Sequence, residues 1–329
     1  MKRYIFATVF LSFFIASCSQ RMQKKVYFKM DTIVEITLYK NREAKIRDAE
    51  MFEKIENFLN DWDERFSPNS ANSEILKCNI RENDTVEISN DLYEILETAL
   101  FYSQKTDGSF DITVKPLKDF WNVGGEDGFL PDPRDSAVFD TIAEILKDVD
   151  FRKISLLDSP KRAVFNNPKT QIDLGGIAKG FAIDRLADTL KSYGFFNFIA
   201  NVGGDVFVSG TKSFNKPIIV GIRHPRQDGM LTMFEMNDAS LVTSGDYERF
   251  RIARSKARVH HIFDAKTGFP VTKNISLSIK GERAAVADIL ATGLFSMSAR
   301  EISEKIKEFY GYEFILVDSL QNPLISQNE

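Results

Sequence analysis

The chain has 329 residues, 43% of them hydrophobic, with 43 Lys and Arg against 47 Asp and Glu for a formal charge of −4. That is enough apolar material for one large domain or two fused lobes, and with no basic block along the chain nucleic acid is not an expected partner. An anionic substrate would have to be drawn in by local groups rather than by the overall field.

Lys2 and Arg3 precede an apolar stretch, Tyr4 to Ile15, shorter than the roughly 20 apolar residues a membrane-spanning helix needs. It ends in Ile15-Ala16-Ser17-Cys18, which resembles a bacterial lipobox. Residues 1–17 then read as a signal peptide cleaved before Cys18, whose sulfur would carry diacylglycerol. An ordinary cleaved signal with an incidental cysteine is the plainer alternative. Ser19, standing where Asp would retain the protein, points to onward sorting to an outer membrane if the cell has one. The only other cysteine is Cys78, so no internal disulfide is expected, despite the oxidising compartment a signal implies. Residues 18–25 are polar and read as a tether, and the folded domain is expected over 26–329.

Within that domain Ile33 to Tyr39 alternates as a strand, and Ile46, Ala49, Phe52, Ile55, Leu59 and Trp62 recur at helical spacing. Leu92, Ile95, Leu96, Ala99 and Leu100 predict a second helix, with Asn90 as its cap and Gly108 beyond its end. The later half reads as strands over 196–202, 205–209, 218–222, 231–236, 275–279 and 313–317, interrupted by helices over about 177–193 and 284–298. There is no regular strand–helix alternation, so the expected class is α+β, in one compact domain of mixed strands and helices.

Three segments carry candidate chemistry. In Gln171–Asp184 a short strand runs into Gly175-Gly176 and then a helix with Lys179 in its first turn. Glycines there let backbone approach a ligand, and a helix N-terminus suits a phosphate; a tight turn with no ligand is the alternative. The spacing and ending of a Walker loop are absent. Asp288 and Thr292, four apart in a helix, share a face and offer an oxygen-only site of the kind Mg²⁺ takes. The alternative is a polar stripe, or a Thr bonding back to its own helix, but the apolar flanks leave a carboxylate in need of a partner. Third, His260 and His261 precede a turn rich in Asp, Thr, Gly and Pro. Neighbours on a strand face opposite ways, so at most one enters a given site, as a base, a phosphate contact or a structural ring. The turns Thr106–Thr113, Asn201–Asp205 and Thr243–Tyr247 are ordinary singly and notable as a set.

The order of these segments resembles the ApbE family, the FAD:protein FMN transferases. The likeness runs from Met30-Asp31-Thr32 through Arg65-Phe66-Ser67, Ser73-Glu74-Ile75, Gly108–Thr113, Asp173–Asp184, Asn201–Asp205, Thr243–Tyr247 and His261–Pro270 to Asp288–Thr292. The resemblance implies a T-fold-related core and a Mg²⁺ held by Asp288, Thr292 and the main-chain carbonyl of Gly176. It implies FAD contacts at Met30, Phe66, Ser109, Phe110, Asp111, Asp173, Lys179 and Ile262. It also implies transfer of FMN from FAD to a Ser or Thr of an extracytoplasmic flavoprotein, such as a subunit of a membrane respiratory complex, with AMP released. His261 is then the candidate base, with Asp246 or Asp264 as alternatives, and Lys179 a holder of phosphate charge. Departures are Phe66 where many relatives have Tyr, Ala265 in place of a frequent Pro, and Asp31 where Gly is common. A hydrolase giving FMN and AMP, and a non-catalytic FAD-binding lipoprotein, are the competing readings.

Overall fold

A computed structural model describes residues 22–68, 70–125, 128–212 and 216–326. The hairpin β1 (Gln23–Lys29) and β2 (Thr32–Leu38) leads to α1 (Asp48–Phe66) and α2 (Glu74–Asn79). β3 (Thr85–Glu87) is followed by α3 (Asn90–Lys105), α4 (Lys115–Trp121) and α5 (Ser136–Ile145). Next come β4 (Ile154–Leu157), β5 (Arg162–Phe165) and α6 (Ala178–Ser192). The strand-rich half holds β6 (Phe198–Val202), β7 (Asp205–Ser209), β8 (Ile218–Arg223), β9 (Met230–Met236) and β10 (Ala239–Gly245). β11 (Phe250–Ile252), β12 (Arg258–His260) and β13 (Asn274–Gly281) precede α7 (Ala284–Gly293), α8 (Ala299–Lys305), β14 (Glu313–Asp318) and β15 (Pro323–Ile325).

An eight-stranded sheet in the order β1-β2-β6-β7-β10-β13-β14-β15 is the frame, and all its neighbours run antiparallel. One face sends Val34, Ile36, Phe198, Ala200, Leu277 and Ile279 into a core shared with α1, α6 and α7. On the other face the β8–β9 ribbon lies over Val206, Val208 and Leu241. Covering on both sides explains why β7 and β13 are buried almost throughout, the serines of β13 included. A second cluster joins Trp62, Leu92, Ile95, Leu174 and Phe181, tying α3 and the small β3-β5-β4 sheet to α6. The α+β expectation holds.

Three boundaries differ from the sequence reading. Strand β1 already includes residues 23–25, read as tether: Gln23, Lys24 and Lys25 pair with Leu38, Thr37 and Ile36 of β2, and Lys24 and Lys25 meet Glu35 and Glu56 at 2.5 and 2.7 Å. Ser89, not Asn90, caps α3, its Oγ accepting the Leu92 N–H at 3.2 Å. The helix expected to run to residue 298 ends at Gly293 and tightens into a 3₁₀ turn, where the buried Asn274 amide donates to the carbonyls of Phe295 and Met297. Cys18 and the signal segment lie outside the described residues. Cys78 is buried and free, its thiol pushed up to about 12 by burial, so it is inert.

Candidate functional site

The site is built where α6 crosses α7. A Cβ on Gly180 would lie 2.4 Å from the Ala284 carbonyl oxygen, so only glycine lets the two helices meet. At this crossing each helix lends a carboxylate to the other's first turn. Asp184 of α6 accepts the Ala284 and Ala285 N–H groups at 2.8 and 3.1 Å, and Asp288 of α7 accepts the Gly180 N–H at 3.1 Å. Both sit where a helix dipole favours negative charge.

Asp288 is 3% exposed, and burial pushes its carboxyl up to about 6 against the opposing pull of Lys179. Its Oδ1 has no hydrogen-bond donor among the described residues. The Lys179 ammonium contacts the Asp205 carboxylate. Burial works against the Lys179 charge, yet Asp205 and Asp288 outweigh it and raise its pKa, so the ammonium stays protonated. Asp205 is itself fixed by the Thr243 N–H at 3.0 Å. One turn beyond Asp288, the Thr292 hydroxyl lies 3.4 Å from Ser244 Oγ. Gly176 presses against this Thr, where a Cβ would come within 2.9 Å of Oγ1. The structure thus brings Gly176, Lys179, Asp288 and Thr292 together across more than a hundred residues of chain. Among the described residues no three His, Cys, Asp or Glu side chains converge as a metal cage. The carboxylate, hydroxyl and backbone carbonyl present are an oxygen-only set with a half-bonded buried carboxylate, and they fit Mg²⁺.

The glycine turn is anchored from its other side. The Asp173 N–H donates to the Ile112 carbonyl at 2.7 Å, and its carboxylate takes Lys118 Nζ at 2.5 Å and the Gly175 N–H at 2.9 Å. Burial would raise Asp173, but the Lys118 charge wins and holds it below the ordinary range. Asp111 is spent within its own loop: Thr113 N–H, Thr113 Oγ and Phe151 N–H occupy its oxygens at 2.7, 2.6 and 2.9 Å, and burial raises it. In the same loop Phe110 packs on Gly293, the neighbour of Thr292.

Met30 and Asp31 form the two-residue turn of the first hairpin, both in the left-handed region at φ 57° and 56°. Such backbone costs a non-glycine residue about 1 kcal/mol or more; the Met30 N–H is held by Asp63 Oδ1 at 3.0 Å. The Asn201–Asp205 turn lies against this hairpin through the Gly203 N–H to Ile33 carbonyl bond at 2.9 Å. Phe66 is buried with its ring 4.5 Å from that of Trp62 and under the Arg65 guanidinium.

The two histidines separate as the strand argument requires. His260 is buried, its Nε2 donating to the Val271 carbonyl at 2.6 Å while Nδ1 accepts the Ile262 N–H at 3.2 Å. His261 is partly exposed, its Nδ1 3.2 Å from the Arg249 carbonyl, and burial of the ring lowers its pKa to about 4. Ile262 is buried in the main core, its carbonyl bonded to the Val271 N–H. Beyond Ser244, a cleft of about 570 Å³ opens between His224, Arg226, Tyr247, Phe250 and Arg258, and Asp246 behind it accepts Arg226 at 2.6 and 2.5 Å. Neither Lys179 nor Asp288 lines it.

Sequence reasoning missed the partners Lys118, Arg226 and Asp184, and the clamp that Asp205 puts on Lys179. For Asp184 a signal existed: a carboxylate among Phe181, Ile183 and Leu186 needs a donor for the same reason as Asp288.

The antiparallel sheet thus delivers a glycine turn, a helix N-terminus and a buried lysine–carboxylate cluster to one crossing. A profile of the ApbE family matches residues 30–316, and the chain belongs to that family. It is 29% identical over 324 residues to the FAD:protein FMN transferase of Treponema pallidum, covering 92% of this chain and 87% of the relative. With that of Haemophilus influenzae it shares 30% identity over 77% of this chain and 75% of the relative. Among solved structures, the ApbE protein of Thermotoga maritima superposes with a TM-score of 0.84 at 29% identity, over 93% of this chain and 97% of that one. The flavin transferase ApbE of Vibrio cholerae has the same fold, with a TM-score of 0.82 at 21% identity, over 94% of this chain and 98% of that one.

Proposed function

We propose that this flavin transferase moves the FMN half of FAD onto a Ser or Thr hydroxyl of an extracytoplasmic flavoprotein, with Mg²⁺ and with release of AMP. The observation that carries the reading is Asp288. It is buried at the N-terminus of α6 with one oxygen uncommitted, beside the Thr292 hydroxyl, the Gly176 turn and a protonated Lys179.

The acceptor hydroxyl attacks the phosphorus nearer riboflavin and AMP leaves, so placing the pyrophosphate and neutralising its charge are the main tasks. The Lys179 ammonium draws and holds the phosphates, aided by the positive end of the α6 dipole. Asp288, Thr292 and the Gly176 carbonyl would hold Mg²⁺, which neutralises charge on the departing phosphate. The FAD-contact set of Met30, Phe66, Ser109, Phe110, Asp111, Asp173, Lys179 and Ile262 belongs to this reading. In this reading the Met30 turn and the Ser109-Phe110 backbone would contact the flavin, Asp173 would act by fixing the glycine turn, and Phe66, Asp111 and Ile262 would support from within. His261, neutral at pH 7 and tethered through Nδ1, is the group with a ring nitrogen free to take the hydroxyl proton. Cys18 would carry the lipid that keeps the enzyme on the outer side of a bacterial membrane, facing the periplasm where there is one.

The test is to incubate the protein with FAD, Mg²⁺ and a periplasmic acceptor domain and to read the acceptor's intact mass. A gain of one FMN that needs both Mg²⁺ and Asp288 is the expected result. Free FMN and AMP beside an unmodified acceptor would replace transfer by hydrolysis, and intact FAD would remove the catalytic reading.

A further inference from the structure

The first hairpin wears an apolar face that no other part of the described protein covers. Tyr27 and Val34 point inward, the Tyr27 hydroxyl donating to the Phe52 carbonyl of α1 at 3.1 Å. Their neighbours point out: Val26 is 54% exposed, Phe28 72% and Ile33 59%, and Phe28 pairs directly across the hairpin with Ile33. This is the edge of the eight-stranded sheet, where folded proteins ordinarily place charge rather than a cross-strand apolar pair. A contiguous apolar patch with polar flanks marks a surface that meets something.

Chain length says what it meets. β1 begins five residues after Cys18, and five residues reach at most about 17 Å when fully extended. With diacylglycerol on Cys18, the start of β1 stays within about 17 Å of the lipid, whatever the rest of the molecule does. On the patch's own face lies Lys24, paired with Glu35 at 2.5 Å, whereas Lys25 is held by Glu56 of α1. The β8–β9 ribbon also exposes Ile219, Met230 and Met233, but nothing ties that region to a bilayer.

We propose that the outer face of the β1–β2 hairpin, through Val26, Phe28 and Ile33, docks on the lipid bilayer to which Cys18 is anchored. This rests on the anchor reading of Cys18 and deepens it: the lipid holds the chain at the membrane, and the hairpin sets its orientation. A lipid anchor alone would leave the enzyme free to tumble, whereas an apolar face seated in the interface removes that freedom. The hairpin's own turn carries Met30, a flavin contact in the proposed function, so docking would hold that contact close to the membrane surface. Hydroxyl acceptors on membrane-embedded partners are then met at a fixed height.

The test uses the full chain, expressed with its own leader, purified and reconstituted into phosphatidylethanolamine–phosphatidylglycerol vesicles containing spin-labelled lipid. Phe28→Trp places a fluorophore on the patch, and Leu324→Trp places one on β15 at the opposite edge of the same sheet. Both sites are exposed, so both variants should fold, and Trp62 and Trp121 contribute a common buried background. Intact mass reports the state of Cys18 independently. The expected result is a lipidated chain in which the Phe28→Trp probe is blue-shifted and quenched by lipid-borne label several-fold more than the Leu324→Trp probe. A lipidated chain with equal quenching at the two sites overturns the docking and leaves the anchor standing. A mature chain without lipid overturns both, because the length argument then has no fixed end.

Discussion

Asp184 and Asp288 sit in the same arrangement with opposite outcomes. Each is a buried carboxylate on one of two crossing helices, each faces the other helix's first turn, and burial raises both pKa values. Asp184 receives two peptide N–H groups and the Arg283 guanidinium at 3.2 Å. Asp288 receives one N–H, and its nearest cation, Lys179, is held by Asp205. Asp184 is therefore a finished cap that joins the helices, and Asp288 is an unfinished one. A buried carboxylate left short of donors keeps its affinity for a cation, and the fold stabilises it in place through contacts made elsewhere.

The contrast can be broken most severely at Asp288. Asp288→Asn should lower kcat/KM for FMN transfer on the order of a thousandfold, while the metal-free protein melts no earlier than wild type in calorimetry, since a poorly bonded buried charge has been removed. Loss of folding together with activity would show that Asp288 is a second Asp184.

Asp184→Ala should do the reverse. It strands two α7 N–H groups and Arg283, costing about 2–3 kcal/mol in urea unfolding, and the fraction that remains folded should still transfer flavin. Gly180→Ala tests the crossing that both carboxylates depend on. With a Cβ 2.4 Å from Ala284 O, the helices must part, at about 2 kcal/mol, and transfer should fall because the N–H that orients Asp288 moves with them.

The smallest effect sharpens a second pair, His260 and His261. His260 is lowered from 6.5 by burial, and both its nitrogens are committed as the neutral ring. A depressed histidine contributes stability that is complete above pH 6.5 and is lost as pH falls toward its folded-state value. Unfolding titrations should show such a loss as pH falls below 6.5, smaller in His260→Gln and smaller also in His261→Gln, because burial depresses both rings.

Much of this was legible in the chain. The β7 strand appears at its expected residues, α6 is within a residue or so, and the Asp288–Thr292 spacing placed both groups on one face because helical periodicity is local. The helices α4 and α5 and the small β3-β5-β4 sheet were not read: their segments are short, and each owes its burial to partners far along the chain. The same holds inside the site. Asp111 sits in a recognisable turn, but that its carboxylate is consumed by Thr113 and Phe151 depends on a loop forty residues on.

By itself, then, the sequence determined what neighbours a few residues apart must do: alternate across a strand, share a helical face, turn at paired glycines. It also carried enough ordered motifs to mark the family. Only the tertiary structure decided which of two buried carboxylates would be satisfied. That choice depends on the approach of α6 to α7 at Gly180, which brings together groups 100 to 108 residues apart. No local pattern encodes such a distance; it follows from how the whole core packs.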